Sequence, residues 1–110
     1  MTAMAPALGG ALVGLTACGG SSGGGAGGHA TKATTGRAIF QSAGCAGCHT
    51  LRAAGATGDV GPNLDSLQPS AATVRFQVEH GGGVMPSFTG TLTAAQINAV
   101  ANFVASSAGH

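Results

Sequence analysis

The first helix of the chain is predicted from small and apolar residues at the spacing i, i+3, i+4 and i+7, which are Gly36, Ile39, Phe40 and Ala43. This spacing places the four residues on one face of an α-helix. Thr35 stands just before the run, where its hydroxyl can cap the first turn. We expect the helix to continue into the Gly-Cys pair that follows Ala43.

A second helix is predicted after the Pro-Ser pair at residues 69–70, which is typical of a helix start. Val74 and Val78 lie four residues apart and therefore share a face, and we expect Phe76 beside them. The His-Gly pair at residues 80–81 predicts the end of this helix.

A third helix is predicted to begin at Thr93, which has capping-box spacing with Gln96. Its apolar face is formed by Ile97, Val100, Ala101 and Val104. We expect this helix to cross the first one at Gly36, which leaves room, with Phe40 and Phe103 in contact. We expect the residues after 106 to be frayed, with no role for the last histidine.

The N-terminal segment, residues 1–17, is apolar or small and carries no charge. It is shorter than the roughly 20 residues that span a membrane, and it resembles the apolar region of a secretory signal peptide. It ends in Leu-Thr-Ala-Cys, which resembles a bacterial lipobox. We expect Cys18 to be lipidated and to anchor the protein to a membrane. The alternatives are a free thiol in a discarded tail or cleavage by the ordinary signal peptidase.

Glycine dominates the next segment, in which seven of the ten residues at 19–28 are Gly. Such a composition predicts a flexible tether over residues 18–35. His29 and Lys32 lie in it, and we expect both to be solvated and without function. The folded domain is then residues 36–110, and residues 51–59 are expected to form a loop within it.

Composition limits the core that this domain can build. The chain of 110 residues contains 21 Gly, no Trp, no Tyr and four Phe. A single small domain with so few large apolar side chains normally needs a disulfide, a metal or a large cofactor. The formal net charge of +1 argues against a nucleic-acid-binding protein, which needs a dense basic surface.

The motif Cys-Ala-Gly-Cys-His at residues 45–49 indicates that such a cofactor is attached to the chain. Two thiols separated by two residues and followed directly by an imidazole are typical of covalent c-type haem attachment. Cys45 and Cys48 can each form a thioether with one haem vinyl group, and His49 can then ligate the iron.

Two other kinds of site could use the same side chains. A thiol–disulfide enzyme could use Cys45 and Cys48, but it needs a βαβ setting, and the sequence contains no strand-like run of Val and Ile. A structural zinc site needs four ligands, and no fourth ligand is evident near Cys45, Cys48 and His49. Haem attachment is the interpretation that uses all three residues.

A Gly-Pro-Asn segment at residues 61–63 is a candidate partner for the histidine. Pro62 fixes its own backbone φ and presents its carbonyl in a set direction. A ligating histidine needs an acceptor for its second ring nitrogen, commonly a backbone carbonyl, and we expect Pro62 to accept from His49. The alternative interpretation is an ordinary turn.

Met85 is the predicted second axial ligand. Three glycines at residues 81–83 let the chain approach a flat ligand closely, and Pro86 favours an extended Met85. A thioether held out from an extended loop suits the open face of a low-spin haem iron. His80 is the competing ligand, although we expect it at a helix end, where a cation is favoured.

Taken together, these residues resemble the class I c-type cytochromes, especially small bacterial proteins with one haem. The matching pieces follow the family's order, with Gly36 and Phe40, the motif at 45–49, Gly-Pro-Asn-Leu at 61–64, and Met-Pro at 85–86 before the helix at 92–104. The resemblance implies an all-α cytochrome c fold of about three to five short helices wrapped around one covalently attached haem.

The resemblance also implies thioethers from Cys45 and Cys48, axial ligation by His49 and Met85, and one-electron transfer rather than enzymatic catalysis. We therefore expect an exported, monomeric carrier on the outer face of the cytoplasmic membrane or in the periplasm. Its partners would be a redox donor and a redox acceptor, such as respiratory complexes. The alternatives are a haem c subunit of a larger oxidoreductase and a gas sensor that releases Met85.

Overall fold

The computed structural model describes residues 28–110, so the predicted signal peptide, Cys18 and most of the predicted tether lie outside the described residues. The described part contains four α-helices and one small hairpin. These elements are α1 (Gly36–Ser42), β1 (Thr50–Leu51), β2 (Ala56–Thr57), α2 (Leu64–Leu67), α3 (Ala71–His80) and α4 (Ala94–Ser107). No helix among residues 28–110 is long and apolar enough to cross a membrane.

Side-chain caps fix the start of each predicted helix. The Thr35 hydroxyl accepts from the backbone N–H of Ala38 at the start of α1, and Ser70 caps α3 in the same way. Thr93 and Gln96 form the complete capping box of α4. The starts expected from the sequence are therefore confirmed, because each cap satisfies a backbone donor that the first helical turn leaves free.

Helices α1 and α4 cross closely because Gly36 has no side chain at their contact. A Cβ at Gly36 would collide with the Cβ of Phe103 and with the carbonyl oxygen of Ala99. Beside this contact, the rings of Phe40 and Phe103 pack edge to face with centroids 6.1 Å apart. The predicted crossing and the predicted aromatic pair are both confirmed.

The core lies between these helices and the loops that cover them. Its largest fully buried side chains are Phe40, Ile39, Leu51, Val100 and Val104. No polar or charged residue is buried in the part of the chain that the structure describes. Five of the fifteen buried apolar residues are alanines. The core therefore buries less apolar area, and gains less stability from the hydrophobic effect, than a core of larger side chains would.

The first helix ends earlier than we expected. α1 ends at Ser42, Ala43 is its C-cap, and Gly44 then adopts a φ of 97°. This left-handed conformation is accessible to glycine and breaks the helical hydrogen-bond pattern. Cys45 therefore lies on a separate 3₁₀ turn, Cys45–Gly47, and Cys48 is the C-cap of that turn, so neither thiol is on the helix itself.

The expected loop at residues 51–59 is in part a hairpin. Thr50 pairs with Thr57 and Leu51 with Ala56 in antiparallel register. Leu51 and Ala56 are both buried, so their burial outweighs the weak strand propensity of this Ala- and Gly-rich stretch. The four-residue helix α2 was also not expected, and its N-cap is Asn63.

The C-terminal residues are not frayed. Ala108 is buried, and the backbone N–H of Gly109 donates to Asp65 at 2.9 Å. The Arg52 guanidinium donates to the backbone oxygen of His110 at 3.2 and 3.3 Å. The expectation of a loose tail was wrong because side chains 44 and 58 residues away in sequence hold it.

Residues 28–34, which we call the strap, lie along α1. The Gln96 amide donates to the backbone oxygens of Thr31 and Ala33, both at 2.8 Å. The Ser42 hydroxyl also donates to the side-chain hydroxyl of Thr31 at 2.9 Å. Contacts of the folded domain thus begin before Gly36.

Asp65 should make the stability of the fold depend on pH. The backbone N–H groups of Gly109 and Arg52 donate to its carboxylate and hold the pKa of Asp65 below its usual range. This stabilisation is fully present above the unfolded-state pKa, about 4, and is lost as the pH falls through the lower folded-state pKa.

We expect Asp65→Asn to lower the thermal midpoint at pH 7 and to have no effect near pH 2, as measured by unfolding scans across pH. Asp59→Asn, at an exposed carboxylate, is the matched control. A pH-independent difference between wild type and Asp65→Asn would contradict this assignment.

A candidate haem site

The two thiols project from a tight turn that is held by backbone hydrogen bonds. The N–H groups of Cys48 and His49 both donate to the Cys45 carbonyl, at 3.2 and 3.1 Å. Cys45 and Cys48 are free thiols of intermediate burial, and both line the same cavity. The turn therefore brings both predicted attachment residues to one wall.

The electrostatics of Cys45 disfavour a redox-active thiol. Burial raises the pKa of the Cys45 thiol to about 11, a backbone hydrogen bond partly opposes this rise, and the nearby Cys48 adds to it. Reactive cysteines have a lowered pKa, because the thiolate is the nucleophile. Burial of Cys45 therefore does not favour the thiolate that a thiol–disulfide enzyme needs at this position.

The His49 ring is held at its Nδ1 atom. This atom lies 2.8 Å from the carbonyl oxygen of Pro62, which accepts from it when the proton is on Nδ1. In that tautomer Nε2 carries the free lone pair that a metal ligand needs. The backbone around the ring is fixed as well, because Gly61 N–H donates to the Cys48 carbonyl at 2.7 Å.

Gly61 has a role that the sequence interpretation missed. A Cβ at this position would lie 2.6 Å from Cε1 and 2.9 Å from Nδ1 of His49. Glycine therefore lets the backbone pass directly against the imidazole ring. Its place before Pro62 was visible in the sequence, but its contact with a residue twelve positions earlier was not.

Met85 reaches the cavity from a loop that is clamped to α3. Its backbone N–H and carbonyl both pair with Gly82 at 2.9 Å. The hydroxyls of Ser87 and Thr89 donate to the Glu79 carbonyl at 2.6 and 2.8 Å. The sequence interpretation missed both hydroxyl clamps, which limit the positions that the Met85 loop can occupy.

The cavity has a volume of about 550 Å³ and is lined by Cys45, Cys48, His49, Pro62 and Met85 together. Its buried walls are apolar and include Phe40, Leu64, Val78, Phe88, Val100 and Val104. Its size and its apolar lining fall within the range of small-molecule and cofactor sites. Two thiols, an imidazole and a thioether around such a space fit a covalently attached haem.

The two other histidines near the site differ in their relation to the cavity. His80 is the last residue of α3, at the helix end where we expected it. His80 does not line the cavity, and its Nδ1 lies 2.9 Å from the Phe76 carbonyl oxygen, with the two rings stacked. Phe76 is exposed rather than packed beside Val78. His29, expected to be solvated and without function, is exposed but lies at the mouth of the cavity.

A separate metal site is not assembled among residues 28–110. No group of three or more His, Cys, Asp and Glu side chains in that range could hold a metal ion. The zinc interpretation therefore gains no fourth ligand from the described structure.

Comparisons with known proteins agree with this geometry. The family model described as cytochrome c oxidase, cbb3-type, subunit III matches residues 31–104. The crystal structure of the c-type cytochrome SorU from Sinorhizobium meliloti is 46% identical, with a TM-score of 0.60. That match covers 67% of this chain and 87% of SorU. The search of curated proteins found no match.

The family match begins within the strap and extends over the described fold to residue 104. The helices α1 to α4 around an apolar cavity are the all-α cytochrome c fold that the sequence predicts. The chain therefore belongs to the cytochrome c family described as cbb3-type oxidase subunit III, and it is a small c-type cytochrome with covalent haem c.

Proposed function

We propose that this protein is a one-electron carrier in which Cys45 and Cys48 bind haem c through thioethers and His49 and Met85 ligate its iron. The observation that carries the proposal is that all four side chains line one apolar cavity. Bound there, the haem supplies an iron that changes between two oxidation states by one electron.

The surrounding residues support ligation by His49 and Met85. The Pro62 carbonyl orients the imidazole, and the Glu79 carbonyl anchors the hydroxyls that flank the thioether loop. If His49 and Met85 both ligated the iron, no position on it would remain open for oxygen or another substrate. A thioether ligand also favours the reduced state and raises the reduction potential.

The cellular location that we propose follows from the N-terminal sequence. A lipidated Cys18 would hold a monomeric protein on the outer face of the cytoplasmic membrane or in the periplasm. There it would receive electrons from one membrane-associated redox protein and pass them to another. A signal peptide over residues 1–17 and a tether up to the strap are part of the same proposal.

A second candidate function is favoured by the family description. The matched family is named after a subunit of cbb3-type cytochrome c oxidase, so the chain could serve as the haem c subunit of a larger oxidoreductase. Purification from native membranes distinguishes the two functions. A carrier separates from the oxidase in mild detergent, whereas a subunit remains bound in fixed proportion.

Met85→Ala tests the proposed ligation. We expect the oxidised variant to lose the weak charge-transfer band at the red end of the visible spectrum that marks a thioether ligand. We also expect the reduced variant to bind carbon monoxide, because an axial position becomes free. His80→Ala is the control and should leave both properties unchanged. An unchanged band in Met85→Ala would exclude Met85 as the ligand.

A further inference from the structure

Gly58 lies directly against the motif that carries the two thiols. A Cβ at Gly58 would come within 2.7 Å of the backbone nitrogen and carbonyl carbon of Cys48 and within 2.8 Å of the carbonyl carbon of Gly47. The Gly58 N–H also donates to the His49 carbonyl at 3.2 Å. Because glycine has no side chain, residues 58–62 can pass close beside the turn.

The Thr50 hydroxyl binds the same glycine through its carbonyl, at 2.7 Å. The N–H and the carbonyl of Gly58 are therefore held by two consecutive residues, His49 and Thr50. Thr50 is half-buried, and a hydrogen bond that is partly shielded from water is stronger than an exposed one. The proposed function uses the side chain of His49 but gives the neighbouring hydroxyl no role.

Pro62 depends on such anchors more than another residue would. It has no backbone N–H with which to bind a neighbour, and both Pro62 and residues 59–60 before it are exposed. Its carbonyl oxygen nevertheless lies 2.8 Å from Nδ1 of His49. The backbone bonds at Gly58 and Gly61 therefore fix the position of this carbonyl beside the imidazole ring.

We propose that Thr50 is a positioning residue for His49, the proposed iron ligand. Its hydroxyl acts through Gly58, which keeps the Pro62 carbonyl at the imidazole. This inference rests on the proposed function, in which His49 ligates the iron through Nε2. An acceptor held at Nδ1 raises the basicity of the imidazole, and a more basic ligand favours the oxidised iron. The Thr50 hydroxyl thus lowers the reduction potential.

The test removes the hydroxyl and keeps the shape of the side chain. In the reduced Thr50→Val holoprotein, we expect the Nδ1 proton of His49 to exchange with D₂O about tenfold faster than in the wild type, as measured by NMR, since loss of one hydrogen bond corresponds to roughly this factor. The equilibrium constant for reduction by a mediator of known potential should rise about two- to fivefold. Thr50→Ser retains the hydroxyl and should keep both values within about twofold of the wild type.

Thr57→Val is the matched control, because Thr57 pairs with Thr50 across the hairpin and is exposed. It should change neither the exchange rate nor the reduction equilibrium, and an effect equal to that of Thr50→Val would overturn the inference. The inference is also overturned if Thr50→Val lowers only the unfolding midpoint, or if Thr50→Ser behaves like Thr50→Val. A wild-type holoprotein that is not reduced reversibly by one electron would overturn the proposed function itself, and this inference with it.

Discussion

The double variant Cys45→Ala with Cys48→Ala is expected not to fold. The cavity of about 550 Å³ lies between α1, α3 and α4, and covalent attachment is what would keep its occupant in place. A small domain has a net stability of only about 5–15 kcal/mol. Contact of the apolar cavity walls with water should cost more free energy than burial of five alanines and the larger core side chains supplies.

Far-UV circular dichroism and resistance to trypsin measure this outcome. We expect the double variant to lose helical signal and to be digested rapidly, whereas the wild-type holoprotein resists. Cys18→Ser is the control, because it removes the remaining cysteine and leaves the motif intact. A stable, helical double variant without haem would show that the protein core suffices, contrary to our expectation.

The second large effect is expected for Gly36→Ala. Ala is favoured over Gly within helices by up to about 1 kcal/mol, but at the first residue of α1 the new methyl group would overlap Phe103 and the backbone of Ala99. α1 and α4 would have to separate, which also loosens the Phe40–Phe103 contact. Overpacking against backbone atoms should cost more than the helix gains, a net loss of about 2 kcal/mol or more.

Denaturant unfolding of the holoprotein checks this prediction. The midpoint should fall with little change in the slope, because the surface exposed on unfolding stays nearly the same. Gly47→Ala is the matched control, since a Cβ at Gly47 would meet no protein atom within 4 Å. Equal stability of Gly36→Ala and the wild type would mean that the helices move apart at no cost.

Local chemistry explains why the sequence predicted most helix starts correctly. A hydroxyl at Thr35, Ser70 or Thr93 caps a turn that begins within three residues, so each cap depends only on its own neighbourhood. Helix ends and short strands were less predictable. α1 ends because Gly44 turns left-handed, and the hairpin forms because Leu51 needs burial, which depends on the rest of the fold.

The same distinction holds at the site. The sequence named Cys45, Cys48, His49, Pro62 and Met85, and all five line one cavity. Their spacing carries the chemistry, so a motif could identify them. Gly61, Ser87 and Thr89 escaped attention because they act through contacts with the His49 ring and the Glu79 carbonyl, which no local pattern encodes.

Gln96 would have a mechanical consequence if the proposed lipid anchor at Cys18 held the protein to a membrane. Its amide nitrogen binds Thr31 and Ala33, while its amide oxygen accepts from Thr93 at the start of α4. A pulling force on the chain before residue 28 would therefore load Thr31, which is bound both to Gln96 at the start of α4 and to Ser42 at the end of α1. Tension from the proposed anchor at Cys18 would thus be shared between the two helices before it passed along the chain to the turn that carries Cys45 and Cys48.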